Sequence, residues 1–269
     1  MNTPFSEEFR LSITRALGDQ LADALTTLRP APLTQDNLNV LQAKPGVYQL
    51  YLRDQFVYVG KADKSLPSRL GNHLRKLSSR RELDIEAVSF ACLYVAEDFS
   101  AVAPEKLLIK RHKAEGRIPW NTNGFGNKDP GRKRDHTALK VNHFDMLHPI
   151  DLGRTVEGVT AGPWKLHELL KAVKQGLPYN FRYQAPTTFK DALVAVPDAR
   201  TTADELFRLI APVLPEDWQI SALMGYAIMY EDARVDYPSG WRYYRGTDVV
   251  TSTPEAEPAG EIEEEPADE

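Results

Sequence analysis

Apolar side chains recur at roughly helical spacing between residues 5 and 28, at Phe9, Leu11, Ile13, Leu17, Leu21, Leu25 and Leu28, and the run stops before Pro30. The pattern predicts an amphipathic N-terminal helix. Gly46 to Leu52 and Gln55 to Gly60 are rich in Val, Tyr and Phe and are separated only by Arg53-Asp54, which predicts a β-hairpin. Ser68 to Leu77 reads as a helix, and Ala87 to Val95 (AVSFACLYV) as a buried strand. A further helix is expected from Pro104 to about Glu115, with Pro in its first turn, Glu105 beside the positive end of its dipole, and Gly116 and Pro119 beyond its end. Asn121 to Arg134 (NTNGFGNKDPGRKR) is too rich in Gly, Asn and Pro for regular structure. Later come a helix at Pro163 to Lys174, a strand at Phe189 to Val196, a Thr-capped helix at Thr202 to Ala211, and an apolar segment at Gln219 to Tyr230. No internal repeat is visible.

These elements predict an α+β fold: a small antiparallel sheet flanked by helices, followed by a helical and mixed C-terminal elaboration. The expected divisions are a helical segment at 1–40, a core with a basic Gly-rich loop at 41–150, an elaboration or small second domain at 151–250, and an acidic tail at 251–269.

Composition adds limits. With 42% hydrophobic and 26% charged residues over 269 positions, the chain can bury a real core. No run of eighteen apolar residues occurs, and MNTPFSEEFR is too polar and acidic for a signal or transit peptide, so neither membrane insertion nor secretion is expected. A lone Cys92 makes no internal disulfide and heads no cysteine zinc site, which suits a reducing, cytoplasmic setting.

The net charge of −5 averages two unlike parts. From Ser252 to Glu269 there are eight acids and no base, and removing them leaves +3 for the remainder. This Pro/Glu segment has too little apolar surface to offset ordering entropy and is expected to be disordered. Positive charge is concentrated elsewhere: Lys61 to Arg81 holds seven bases against Asp63, and Lys106 to Lys140 holds ten against three acids. Two basic runs flanking one apolar stretch point to a polyanion partner. His136, His143 and His148 fit no compact zinc-ligand spacing.

One ordered set of residues carries chemistry: Gly46-Val47-Tyr48, Tyr58-Val59-Gly60, Arg69, His73, Glu105 and Asn121. In it the chain resembles the GIY-YIG nuclease superfamily, with Val for Ile at 47 and 59, over about Pro45 to Asn123. The resemblance implies two tripeptides on neighbouring strands, an Arg and a His on a following helix, and a metal-holding Glu on a later one.

The chemistry also follows from the residues. On a hairpin, Tyr48 and Tyr58 can share a face, and Arg69 and His73 at i and i+4 share a helix face. Phosphodiester hydrolysis needs a base for water, cations for developing charge, and an acidic metal ligand. Ionising a tyrosine at pH 7 costs roughly 4 kcal/mol for a pKa of about 10, so cations nearby must favour the phenolate. With the resemblance, Tyr48 becomes the general base beside His73, Tyr58 and Lys61 position phosphate or water, and Arg69 stabilises the developing charge. Glu105 becomes the protein carboxylate on one Mg²⁺, and Asn121, with Asn123 as alternative, fixes local geometry near the phosphate.

The loop Gly124 to Arg134, with Phe144-Asp145 and His148-Pro149, resembles the type II restriction endonucleases that cut CCGCGG, the isoschizomers of SacII. Arg132, Lys133 and Arg134 in a Gly-rich loop can approach DNA, and arginine suits guanine recognition. Arg75, Lys76 and Lys128 extend the expected double-stranded DNA surface. Cutting both strands at a palindrome implies a homodimer. Two other readings remain: a structure-specific repair or recombination nuclease, and a non-catalytic DNA-binding protein on the same scaffold.

Overall fold

The computed structural model describes residues 13–95, 108–109, 118–126, 131–232 and 234–259. The chain divides into two compact units, one running to Leu74 and resuming at Asp84–Thr122, the other comprising Arg75–Leu83 and the chain from Asn123 onward. No described helix is long and apolar enough to cross a membrane.

The first unit is built on an antiparallel sheet whose strand order is β1-β4-β2-β3, with β1 Ala31–Pro32, β2 Gly46–Leu52, β3 Gln55–Ala62 and β4 Val88–Tyr94. The anticipated hairpin forms, and Arg53 and Asp54 both take positive φ, 49° and 64°, matching a two-residue turn to the strand twist. One extra residue enters β3 where the register passes from Leu50 opposite Tyr58 to Tyr51 opposite Phe56. Val47 and Val59 on one face pack with Ala22 and Leu25 of helix α1 (Ile13–Thr26) and with Leu108 and Ile118. Of the N-terminal helix expected from residue 5, residues 5–12 lie outside the described residues. So does most of the Pro104 to Glu115 helix, of which Leu108 and Ile109 are helical.

A short helix α2 (Gln35–Asn39), capped by Thr34, leads toward the hairpin. Helix α3 (Leu66–Leu77) begins two residues earlier than its pattern suggests. The Ser65 hydroxyl accepts from the Ser68 amide at 3.3 Å, and Pro67 falls in the first turn, where its missing N–H costs nothing. Pro119 likewise opens a one-turn helix, α4 (Pro119–Thr122), so the Gly/Asn-rich stretch is not irregular throughout. Residues 131–136 add a 3₁₀ segment.

The second unit is mixed, as expected, and holds more strand than its pattern shows. Its largest element is a five-stranded sheet, order β12-β11-β9-β10-β7, from β7 Phe181–Tyr183, β9 Trp218–Leu223, β10 Ala227–Glu231, β11 Gly240–Arg245 and β12 Asp248–Thr251. The apolar segment at 219–230 is a hairpin broken at Gly225, and within this sheet the β10–β7 pairing is parallel and the others antiparallel. A fully buried cluster, including Leu169, Leu170, Phe181, Phe207, Ile220 and Tyr244, joins this sheet to α6 (Leu166–Gly176) and α7 (Ala203–Ile210). The Thr202 cap forms as a full capping box with Glu205. The helix expected at Pro163 starts at Leu166, because Gly162–Lys165 (β6) pairs with Leu193–Val196 (β8). Between the basic loop and these elements lie β5 (Leu139–Lys140) and a one-turn helix, α5 (Phe144–Leu147).

Order also continues into the segment expected to be an unstructured tail. Ala256–Glu257 (β13) pairs in parallel with β5, and the Val141 amide donates to the Glu257 carbonyl at 2.8 Å. Backbone pairing asks nothing of side-chain hydrophobicity, which composition alone reports. Residues 260–269 lie outside the described residues.

Candidate active site

The hairpin register decides which side chains meet. Tyr48 stands opposite Gly60, and Tyr58 opposite Leu50, so both tyrosines project from the sheet face opposite Val47 and Val59. The two rings lie 6.1 Å apart between centroids. Glycine at 60 is required by this approach: a Cβ there would sit 2.4 Å from Tyr48 Oη and 2.8 Å from Tyr58 Cε1. At Gly46, a Cβ would fall 2.1 Å from the Leu93 carbonyl oxygen. The glycines that open one tripeptide and close the other are thus steric requirements of the sheet.

Helix α3 supplies the imidazole and the guanidinium. Tyr48 Oη and His73 Nε2 are 2.7 Å apart, and Arg69 Nε donates to the same phenol oxygen at 3.2 Å. His73 also meets Tyr58 edge-on, with centroids 5.6 Å apart. Tyr48, Tyr58 and His73 are buried, whereas Arg69 is largely exposed. Neutral Tyr48 donates to His73 Nε2 in the tautomer that carries the ring proton on Nδ1, and accepts from it in the other. Phenolate would accept from both neighbours. Burial works against the Arg69 charge, yet Tyr48 and Tyr58 outweigh it and hold the guanidinium pKa above its ordinary value.

Asn121 is carried by α4 to the outer edge of β3. Its Oδ1 accepts from the Val59 amide at 2.9 Å, and its Nδ2 donates to the Val59 carbonyl at 2.8 Å. The side chain mimics a neighbouring strand and fixes the central residue of the second tripeptide from outside. Asn123 falls in the other unit, its Oδ1 buried without a hydrogen-bond partner. Lys61 pairs with Val47 and so leaves the sheet on the face away from the two tyrosines, half-exposed, with its amine 2.9 Å from Asp63. Glu105 lies outside the described residues. The described cluster contains two phenols, an imidazole, a guanidinium and an amide but no carboxylate, and no metal-holding acid or histidine group occurs among the described residues.

The basic side chains expected to face DNA behave unequally. Arg132 and Lys133 are exposed, with the Arg132 guanidinium 4.0 Å from the centre of the Tyr230 ring. Arg75 instead donates to the carbonyls of Gln175 and Leu177 at 2.7 and 2.6 Å, and Lys76 to that of Phe125 at 2.5 Å. Arg134 is bound to the buried carboxylate of Asp145. Lys128 lies outside the described residues. Charge counting misses this distinction because a buried ion pair and a solvated base look alike in sequence. It also misses Arg80, which is buried and held 2.9 Å from Asp145.

Burial alone would raise the Asp145 pKa, but Arg80, Arg134 and Lys76 outweigh it and hold the carboxylate below its ordinary range. Burial lowers the Arg80 pKa against the attraction of Asp145, and it lowers that of neighbouring His143 as well.

Residues 53–175 match the family described as the Eco29kI GIY-YIG domain. The matched span contains Tyr58, Lys61, Arg69, His73, Glu105 and Asn121 and starts after Tyr48, which the hairpin register puts on the same sheet face as Tyr58. The match supports the GIY-YIG nuclease superfamily and a DNA endonuclease activity. No curated protein matches the chain.

Proposed function

We propose that this protein is a type II restriction endonuclease that hydrolyses phosphodiester bonds in duplex DNA at a fixed site, a GC-rich palindrome such as CCGCGG, and acts as a homodimer with one Mg²⁺ per active site. The observation that carries the reading is the convergence of Arg69 and His73 on one buried phenol oxygen, that of Tyr48.

In this reading Tyr48 is the general base. Loss of its proton to His73 Nε2 leaves a phenolate facing an imidazolium and a guanidinium. Two charge-assisted bonds at about 1.5–3 kcal/mol each offset most of the roughly 4 kcal/mol that ionisation costs at neutral pH. The phenolate then takes a proton from the attacking water as its oxygen forms the new bond to phosphorus and the P–O bond to the leaving group breaks.

Tyr48 is covered from solvent and exposed Arg69 bonds its oxygen, so one guanidinium serves both the phenolate and the developing phosphorane charge. Tyr58 positions the phosphate, and Asn121 keeps β3 in register. Glu105 is the assigned Mg²⁺ ligand, the ion supplying Lewis-acid stabilisation when bound. The described residues do not complete a metal site, and none of these steps runs through the ion.

The test incubates purified protein with plasmid and Mg²⁺ and sequences the ends. Identical ends at one short sequence are expected. Tyr48→Phe and Glu105→Ala should bind duplex DNA at wild-type affinity and cut at least about a hundredfold more slowly. Cleavage of branched junctions without fixed ends identifies a structure-specific nuclease, and binding with no metal-dependent cleavage a non-catalytic protein. Either outcome replaces the restriction reading.

A further inference from the structure

The second unit contains a cavity of about 210 Å³ whose walls include Lys76, Arg80, Arg134, Asp145, Tyr179 and Tyr226. Its lining carries three cations against one carboxylate. Two buried polar atoms of the same walls, Tyr179 Oη and Arg80 Nε, have no hydrogen-bond partner. Burying such a group unpaired is unfavourable, more so if it is charged, and here both are donors. Burial keeps the Tyr179 phenol protonated. Asp145, engaged by Arg80 Nη1 and Arg134 Nη2, bonds neither atom. Backbone forms the wall beside it because a Cβ at Gly225 would lie 2.3 Å from Asp145 Oδ2.

We propose that this cavity is a phosphate-binding site, holding one tetrahedral phosphate group by accepting from Tyr179 and Arg80 and by charge pairing with Lys76 and Arg134. Excess positive charge selects an anion, and orphaned donors select one with several acceptor oxygens. The volume leaves room for a group attached to the phosphate. The phosphate comes either from a DNA backbone or from a free phosphate. The first source rests on the nuclease reading, and the site itself does not.

The decisive variant is Tyr179→Phe, which keeps the ring packing and removes an oxygen that has no bond to lose. Inorganic phosphate is titrated into the full chain at constant ionic strength in chloride, followed by calorimetry. Wild type should saturate, and Tyr179→Phe and Lys76→Gln should each bind at least fivefold more weakly with unchanged circular dichroism. Duplex DNA binding by Tyr179→Phe, measured at fixed salt, then separates the sources. A parallel loss of at least threefold places a DNA phosphate in the cavity, and unchanged DNA affinity with weakened phosphate binding assigns it a free phosphate. Absence of saturable phosphate binding in wild type, or equal binding by wild type and Tyr179→Phe, overturns the proposal. A chain that binds phosphate and cuts no DNA leaves the site standing and removes the nuclease reading instead.

Discussion

Gly60→Ala tests the active-site geometry without altering any polar group. The added Cβ would lie 2.4 Å from Tyr48 Oη and 2.6 Å from Cζ, whereas ordinary contact begins at 3.4 Å, so the oxygen must retreat by about 1 Å. That displacement is enough to break a 2.7 Å contact with His73 Nε2 and the 3.2 Å bond from Arg69. Misplacing a reacting group by about 1 Å costs on the order of a hundredfold in rate. Overpacking of this kind costs about 1–3 kcal/mol of stability, which leaves a folded protein.

Single-turnover cleavage of plasmid DNA should therefore fall about a hundredfold, with DNA affinity retained. Gly71→Ala is the internal control. It lies on α3 between Arg69 and His73, but its Cβ would meet only Leu38 Cδ1, at 3.9 Å, and alanine favours the helix by about 1 kcal/mol. Activity should be unchanged and stability slightly raised. A folded Gly60→Ala protein cutting within threefold of wild type would refute the claim that the Tyr48 oxygen must sit where Arg69 and His73 meet it.

Asp145→Asn should lower stability by about 3–5 kcal/mol in thermal or urea unfolding, because it leaves Arg80 buried without its counter-charge. Since the folded Asp145 pKa is depressed, its stabilisation is present above the unfolded value of about 3.9 and is lost as pH falls through the folded one. The variant should therefore lose most of the wild type's advantage at neutral pH and little of it in strong acid; a gap that widens on acidification contradicts this. Asn121→Asp turns a donor at 2.8 Å from the Val59 carbonyl into an acceptor and should cost about 1–3 kcal/mol, read as faster hydrogen exchange along β3. If about six phosphates are contacted, DNA affinity should fall roughly a thousandfold between about 50 and 200 mM salt. A flat response removes the polyanion reading.

Local pattern and residue order made the hairpin, the helix carrying Arg69 and His73, the strand at Val88–Tyr94 and the Thr202 cap legible without coordinates. These depend on period-two alternation, i,i+4 spacing and capping chemistry, all short-range in the chain. Tyr48 and Tyr58 on one face follow from the pairing of β2 with β3 across a two-residue turn.

Long-range contacts required the tertiary structure. Asn121 turned out to be an edge clamp on Val59, 62 positions earlier, a partnership no local pattern encodes. That Arg134 is paired with buried Asp145 is likewise invisible in the sequence, where it is one base of a run. The five-stranded sheet escaped notice because its β10–β7 pairing joins segments far apart in sequence, and the acidic tail read as disorder because composition says nothing of backbone pairing. Sequence determined which groups could do chemistry, since residue identity and spacing set donor, acceptor and charge. Folding decided which of them are freed for it and which are bound into structure, because burial and partner distance are properties of three dimensions.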